Sequence, residues 1–340
     1  MNDVKSQKEG MLIISLDFEL YWGMFDKVSL EEYRENLEGV YVAIPKILEI
    51  FKRYDIHATW AIVGFLFYDG LIDLKKSLPF EKPNYSNPEN NSYIYINKNF
   101  ENINMNNSLH FSRSLIEKIK KTPSQEIGSH TFSHFYCLED GQNEFSFTKD
   151  IETTIQTFNE NGLTCKSVVF PRNQINKEYL KICNNYGITS YRGTEPNFIY
   201  KAKNEIEKNN KLKRILRFLD SYLNLFGHNT FSLTNVTKNI PINVPSSRFL
   251  RPYSKSLKAF EKYKVNRIKK DMEYAARNGN AYHIWWHPHN FGKNVEENLN
   301  NLIEILDQFL YLKEKYNMKS ANMSEVSQKV MEEIRIESGF

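Results

Sequence analysis

Short apolar runs alternate along this chain with longer segments whose apolar residues recur at helical spacing, the rhythm of an α/β protein with a parallel sheet. Met11–Leu16 (MLIISL) is nearly all apolar and stops at charged residues, as a strand buried on both faces reads. Ser29 and Glu32 are spaced as a capping box. The positions after them, Leu37, Val40, Tyr41, Ile44, Leu48 and Phe51, share one helical face. Ala58–Val63 (ATWAIV) predicts a second strand. The same alternation returns with a helix around Leu109–Lys121 before a strand near Glu126–Ser129, and one around Phe147–Asn159 before Ser167–Phe170. Helical Lys177–Tyr186 precedes Ile188–Tyr191, and a helix around Leu257–Arg277 precedes Ala281–Trp286, with a last helix from about Val295 to Tyr316. Weaker strand candidates lie near Asn243–Leu250 and at the C-terminus. A barrel related to the eight-stranded α/β barrel fits best and an open sheet second. The expected unit runs over residues 11–335. Two stretches break the rhythm: an Asn- and Pro-rich one at 71–107, expected as a long loop, and one at 195–245 that contains the basic run KNEIEKNNKLKRILRF, expected as an inserted, lid-like helical excursion.

Composition narrows the function classes. A formal charge of +4 over 340 residues provides no global field that demands nucleic acid, and the run 203–217 mixes acids with bases like an exposed helix face. Cys137, Cys165 and Cys183 are far apart and form no CxxC, so they read as reduced, buried thiols. The first ten residues are polar, and no run of about 18 apolar residues occurs, so neither a signal peptide nor a spanning helix is expected. The expected location is the cytoplasm. Aromatic residues at 14% offer rings that can stack on sugars as well as fill a core.

Four clusters of chemistry-bearing residues each follow a predicted strand. Asp17-Phe18-Glu19 ends the first, and strand periodicity turns both carboxylates toward one site. His130 and His134 follow the strand ending EIGS, and a spacing of four puts two imidazoles on one face of a helical turn, within reach of one metal. Arg172, in FPRNQ, brings a permanent cation to the same rim, suited to holding a carboxylate ionised or to binding substrate. AYHIWWHPHN carries His283, His287 and His289. His287 reads as a general acid and His283 as a satisfied core histidine. In a barrel-like α/β fold the strand ends gather at one face, so the four clusters point to one site.

With these residues in hand, the chain resembles the polysaccharide deacetylase family, also called NodB-homology or carbohydrate esterase family 4. Asp17-Phe18-Glu19, the His130–His134 pair, Arg172 after Phe170-Pro171 and the strand-end His287 occur in that family's order over residues 11–292. EIGSHTFSH, FPRNQ and HIWWHPHNFG look like a biosynthetic-cluster branch of it. The resemblance implies a distorted (β/α) barrel, here of about seven parallel strands, and a divalent metal, often zinc, held by one carboxylate and two histidines. Carried over, His130 and His134 would be metal ligands. The family's adjacent acid pair is here split by Phe18. By order Asp17 would be the catalytic base and Glu19 the third ligand, and the split leaves the reverse division open. Arg172 would orient the base and His287 would act as acid. Trp22, Trp285 and Trp286 are candidates for sugar stacking or for plain core packing. The implied reaction is removal of an N-acetyl group from an amino sugar of a cell-surface glycan or its precursor. The sugar could be carried on a nucleotide, a lipid or a polymer, with no nucleic-acid partner, and the oligomeric state stays open. The rival readings are a deformylase acting on a lipid-linked amino sugar and a catalytically silent glycan-binding protein.

Overall fold

The computed structural model of the chain describes residues 9–197, 199–200, 211–236 and 239–337. Among the described residues nine strands form one sheet: β1 (Met11–Phe18), β2 (Ala58–Ile62), β3 (Gln125–Ser129), β4 (Ser167–Val168), β5 (Ser190–Tyr191), β6 (Ile242–Asn243), β7 (Arg248–Phe249), β8 (Ala281–Trp286) and β9 (Lys319–Ala321). Eight run in the order β6-β5-β4-β3-β2-β1-β8-β7, and β9 joins β1 beside Met11–Ile13. Every strand pair is parallel, from Ile14 opposite Ala58 and Ile284 to Val168 opposite Tyr191. The sheet curls into a distorted (β/α) barrel in which β6 and β7 are the two ends of the path. Both weak strand candidates are therefore real, although β6 and β7 hold only two residues each.

The longer helices are α1 (Leu30–Glu38), α2 (Val40–Tyr54), α3 (Arg113–Lys121), α4 (Glu144–Glu160), α5 (Tyr179–Asn185), α6 (Lys211–Asp220), α7 (Glu261–Asn278), α8 (Val295–Tyr316) and α9 (Met323–Glu337). The Ser29–Glu32 capping box forms as the sequence predicts. The single helix expected after it is broken at Gly39. A Cβ built on Gly39 would sit 1.9 Å from the carbonyl oxygen of Gly292, so only glycine lets the Pro288–Gly292 turn approach this closely. The 71–107 segment is not a bare loop: it holds helical turns at Leu71–Leu74, Ser92–Lys98 and Phe100–Met105. Of the basic run, residues 203–210 lie outside the described residues, and the rest forms α6.

All eight residues of β1 are buried, which explains its unbroken apolar text: β1 lies in the middle of the sheet with helices outside and a packed interior. Side chains of one parity, Leu12, Ile14, Leu16 and Phe18, join the large cluster under the helices, whereas Met11 and Ile13 face a second cluster with Val169, Val244 and Met323. Asp17 belongs to the second parity. Among the described residues no helix is long and apolar enough to cross a membrane.

Candidate active site

Parallel strands bring their C-terminal ends to one edge, where the loops after β1, β3, β4, β5, β7 and β8 meet. Asp17 closes β1 and Glu19 follows it, 2% and 4% exposed respectively. Gly23, one turn later, packs so tightly on Glu19 that a Cβ there would lie 1.9 Å from its carboxylate. The carboxylate is thus fixed from behind by an absence of side chain.

His130 and His134 follow β3, but in a loop and not in the helical turn expected from their spacing. Thr131 and His134 adopt φ of +62° and +60°. A β-branched residue in the left-handed region is strained by about 1–3 kcal/mol, so the surroundings must hold it. Thr131 Oγ1 does part of this by donating to the carbonyl of His130 (2.6 Å) and accepting from the Phe135 amide (2.7 Å). The other part is Asp150 of α4. Its carboxylate accepts from the amides of Phe132 (2.7 Å) and Ser133 (3.1 Å) and from the Ser133 hydroxyl. Burial pushes the Asp150 carboxyl up to about 6 in spite of these donors, so it is largely ionised above that pH.

The loop turns both Nε2 atoms inward. Each lies 3.1 Å from Oε2 of Glu19, and one donor atom from each of Glu19, His130 and His134 falls within 4.8 Å of the others. Burial depresses His134, which keeps its imidazole neutral with a lone pair to give. Burial raises Glu19, but His287 and the two histidine contacts overcome it and hold the carboxyl well below its ordinary value. One carboxylate oxygen and two imidazole nitrogens, buried and convergent, form a donor set that could hold a metal ion. The residues present fit a divalent cation.

Asp17 is held by a different cation from the one expected. Arg192, just after β5, makes a two-pronged pair with it, both N–O distances being 2.7 Å. The same guanidinium donates to Ser15 Oγ and Asn173 Oδ1, both 3.0 Å away, and stacks 4.2 Å above the Trp285 ring. Burial pushes Asp17 up, but the charges of Arg192 and His130 outweigh it and keep the carboxyl below its ordinary 3.8. Arg172 instead pairs with Asp26 and lies 4.0 Å over the Tyr136 ring. The expectation that Arg172 contacts the base is therefore corrected. Both arginines lie at strand ends, and the chain reverses at Arg172 and Asn173 (φ +56° and +53°), so it is Asn173 that reaches Asp17's partner.

His287, at the end of β8, points Nε2 at both carboxylates, 3.8 Å from Asp17 Oδ2 and 3.5 Å from Glu19 Oε1. Tyr33 donates to the Asn290 side-chain oxygen, and the Asn290 amide donates to His287 Nδ1, each at 3.3 Å. In the neutral ring Nδ1 is thus the acceptor and Nε2 carries the proton toward the site. His289 stacks on His287 at 4.9 Å, and burial and the His287 charge depress it to about 3. His283 is buried, contacts Ser15 Oγ and the Pro245 carbonyl, and is depressed by burial to about 3, as a core histidine should be. Trp22 and Trp286 are fully buried core rings, whereas Trp285 borders a cavity of about 870 Å³ that also touches Asp17, Glu19, His134 and His287.

Arg192, Asp150, Gly23 and Asn290 were not singled out from sequence. Arg192 alone had a usable signal, since it follows a predicted strand as the other four clusters do.

Comparison with known proteins agrees with this geometry. Residues 36–191 match the polysaccharide deacetylase family model. No curated protein matches the chain. A Mycobacterium smegmatis protein assigned as a polysaccharide deacetylase superposes with a TM-score of 0.57 at 12% identity, covering 96% of this chain and 92% of its own. The fold extends to other enzymes: Puue allantoinase (TM-score 0.50, 11% identity, 95% and 91% covered) and the 4-alpha-glucanotransferase of Thermococcus litoralis (0.51, 12%, 95% and 40%). Residues 36–191 thus carry the match to the polysaccharide deacetylase family, and the chain as a whole shares the distorted (β/α) barrel of that NodB-homology type.

Proposed function

We propose that this protein is a metal-dependent hydrolase that removes the N-acetyl group from an amino sugar of a cell-surface glycan or its precursor. The observation that carries this reading is the convergence of Glu19, His130 and His134 beside an Arg192-bound Asp17 and an inward-facing His287. Glu19, His130 and His134 would hold the cation, zinc by the nature of the donors. Such an ion supplies polarisation of the amide carbonyl and a water of lowered pKa. Asp17, kept ionised by Arg192, would take the proton of the attacking water. His287 would act as the acid: as imidazolium it would deliver a proton from Nε2 to the departing amine and end as the neutral ring. Trp285 would offer a flat apolar wall to the sugar ring. The three free, buried cysteines suit a reducing compartment, which supports a cytoplasmic precursor as substrate.

The test is acetate release from N-acetylated amino sugars by zinc-loaded protein. His134→Ala is expected to lose zinc and turnover while its circular dichroism stays that of the parent. Asp17→Asn should retain zinc and lose at least about 100-fold in kcat, the scale of a general base. Zinc retained by His134→Ala rejects the ligand set, and zinc lost by Asp17→Asn exchanges the roles of the two acids. Inert wild-type protein that still binds the sugars would favour the glycan-binding reading.

A further inference from the structure

The large cavity continues from the catalytic cluster to a second region that the hydrolysis of an amide does not use. Its wall there is α6 and the segment after β7, which bring Arg214, Arg217, Arg251 and Phe218 to the cavity beside Phe249. The C-terminal end of α6 is pinned to the barrel. Asp220 is fully buried and accepts from Arg248 of β7 at 3.2 Å, from the Tyr200 hydroxyl at 2.6 Å and from the Leu225 amide at 3.1 Å. Arg248 and Arg267 are in turn balanced by Asp220 and Asp271.

The arginines nearer the cavity have no such balance. Among the described residues Arg214, Arg217 and Arg251 have no carboxylate within ion-pair distance. Arg251 donates to the Ser221 hydroxyl (2.7 Å) and lies 5.4 Å over the Phe218 ring, and Arg217 donates to the Lys213 carbonyl (3.3 Å) of its own helix. Burial pushes the Arg251 guanidinium down; Tyr222 and Tyr200 oppose this, and the nearby charges of Arg217 and Arg248 add to it. The carboxylates of the same cavity stand elsewhere: Asp17 and Glu19 in the catalytic cluster, and Glu195 where it feels the Arg192 charge. Arg217 and Arg251 are partly buried and Arg214 is exposed; guanidiniums gathered beside a site with no carboxylate paired to them among the described residues repel one another until an anion with several acceptor oxygens joins them.

We infer that this region is a phosphate subsite, and that the amino sugar enters the active site attached through a phosphoryl or diphosphoryl group that Arg214, Arg217 and Arg251 bind. This rests on the hydrolase reading for what happens to the sugar, but the binding itself does not. The shared chemistry is a sugar phosphate ester, and its carrier is either a nucleotide or a lipid. The outer side of α6 carries Leu212 and Leu219, with Leu223 just beyond, exposed at 64%, 39% and 52%, which suits an isoprenoid tail lying along the helix.

Binding is measured calorimetrically with four probes: inorganic pyrophosphate, UDP-N-acetylglucosamine, N-acetylglucosamine on a short polyprenyl diphosphate, and the unphosphorylated N-acetylglucosamine dimer. At least one phosphorylated sugar is expected to bind ten-fold or more tighter than the dimer, and pyrophosphate should compete. Arg217→Gln/Arg251→Gln should erase that ratio. The exposed Arg214→Gln, which cannot disturb packing, should reduce it several-fold. A larger ratio for the polyprenyl probe identifies the lipid carrier, and a larger one for UDP-N-acetylglucosamine the nucleotide. Equal binding of phosphorylated and unphosphorylated sugars, or a ratio that survives in both variants, overturns the subsite. Arginine-dependent binding without acetate release would sink only the hydrolase reading. Acetate release from the dimer with no arginine dependence would sink only the phosphate subsite.

Discussion

Replacing Arg192 by Met keeps the length and apolar stem of the side chain and removes its cation from Asp17. The carboxylate, 2% exposed, then loses two 2.7 Å bonds. It has two ways to respond. If it stays ionised, breaking a buried pair costs about 3–5 kcal/mol. If it takes up a proton, holding that proton at pH 7 against an ordinary value of 3.8 costs about 4 kcal/mol, at about 1.4 kcal/mol per unit. The two routes agree, and a loss of about 4 kcal/mol is a large share of the 5–15 kcal/mol by which domains are stable.

The pH dependence separates this cause from lost packing. In the wild type the folded pKa of Asp17 is lowered, so its contribution is present above about 3.8 and disappears as pH falls through the folded value. The penalty of Arg192→Met is therefore greatest at neutral pH and shrinks toward pH 4. Urea unfolding at pH 7.5 and pH 5 reads this directly. Arg192→Met/Asp17→Asn should be more stable than Arg192→Met alone, because the stranded charge is gone. In kinetics the acid limb of kcat/KM should move up by at least about one unit in Arg192→Met and stay in place in Arg172→Met, whose guanidinium serves Asp26. A wild-type unfolding midpoint for Arg192→Met at pH 7.5, or an acid limb that follows Arg172 instead, would refute the reasoning.

Two further outcomes probe the scaffold. Asp150→Ala leaves the amides of Phe132 and Ser133 without acceptors, at about 1–3 kcal/mol each, and should also weaken zinc binding about 10–100-fold by releasing the strained His130–His134 loop. Chemical unfolding together with competition against a chromogenic chelator measures both, and unaltered zinc affinity would show that the loop holds itself. At the far end of the barrel, Glu325 contacts His57 Nδ1 at 2.8 Å and raises its pKa. That stability is fully present below about 6.5 and fades as pH rises through the folded value, so Glu325→Gln should cost under about 1 kcal/mol at pH 6 and less at pH 8.5, the pair being partly exposed. An equal loss at both pH values would reject the charge-based account.

What could be read in advance follows from which interactions are local. Met11–Leu16 is legible because a strand covered on both faces must be apolar throughout, and the strand-end position of Asp17, Glu19, His130, His134 and His287 follows once the strands are placed. The long-range pairs leave no such trace. Arg192 and Asp17 are 175 residues apart, and nothing in the text YRGTE says which carboxylate its guanidinium will meet. Arg172 took its place because Phe170-Pro171 gave it the better local context, and a positive φ at Arg172 itself then turned the chain so that Asn173 arrived instead. The histidine pair shows the same limit from the other side. A spacing of four suits a helical turn, but a loop with two left-handed residues brings the same two nitrogens together, and the non-glycine Thr131 conceals it. The device that makes the loop possible, the Asp150 carboxylate, comes from the next helix. Sequence patterns therefore mark where chemistry is delivered to the rim, whereas the buried partners that set its charge and aim are chosen by the fold.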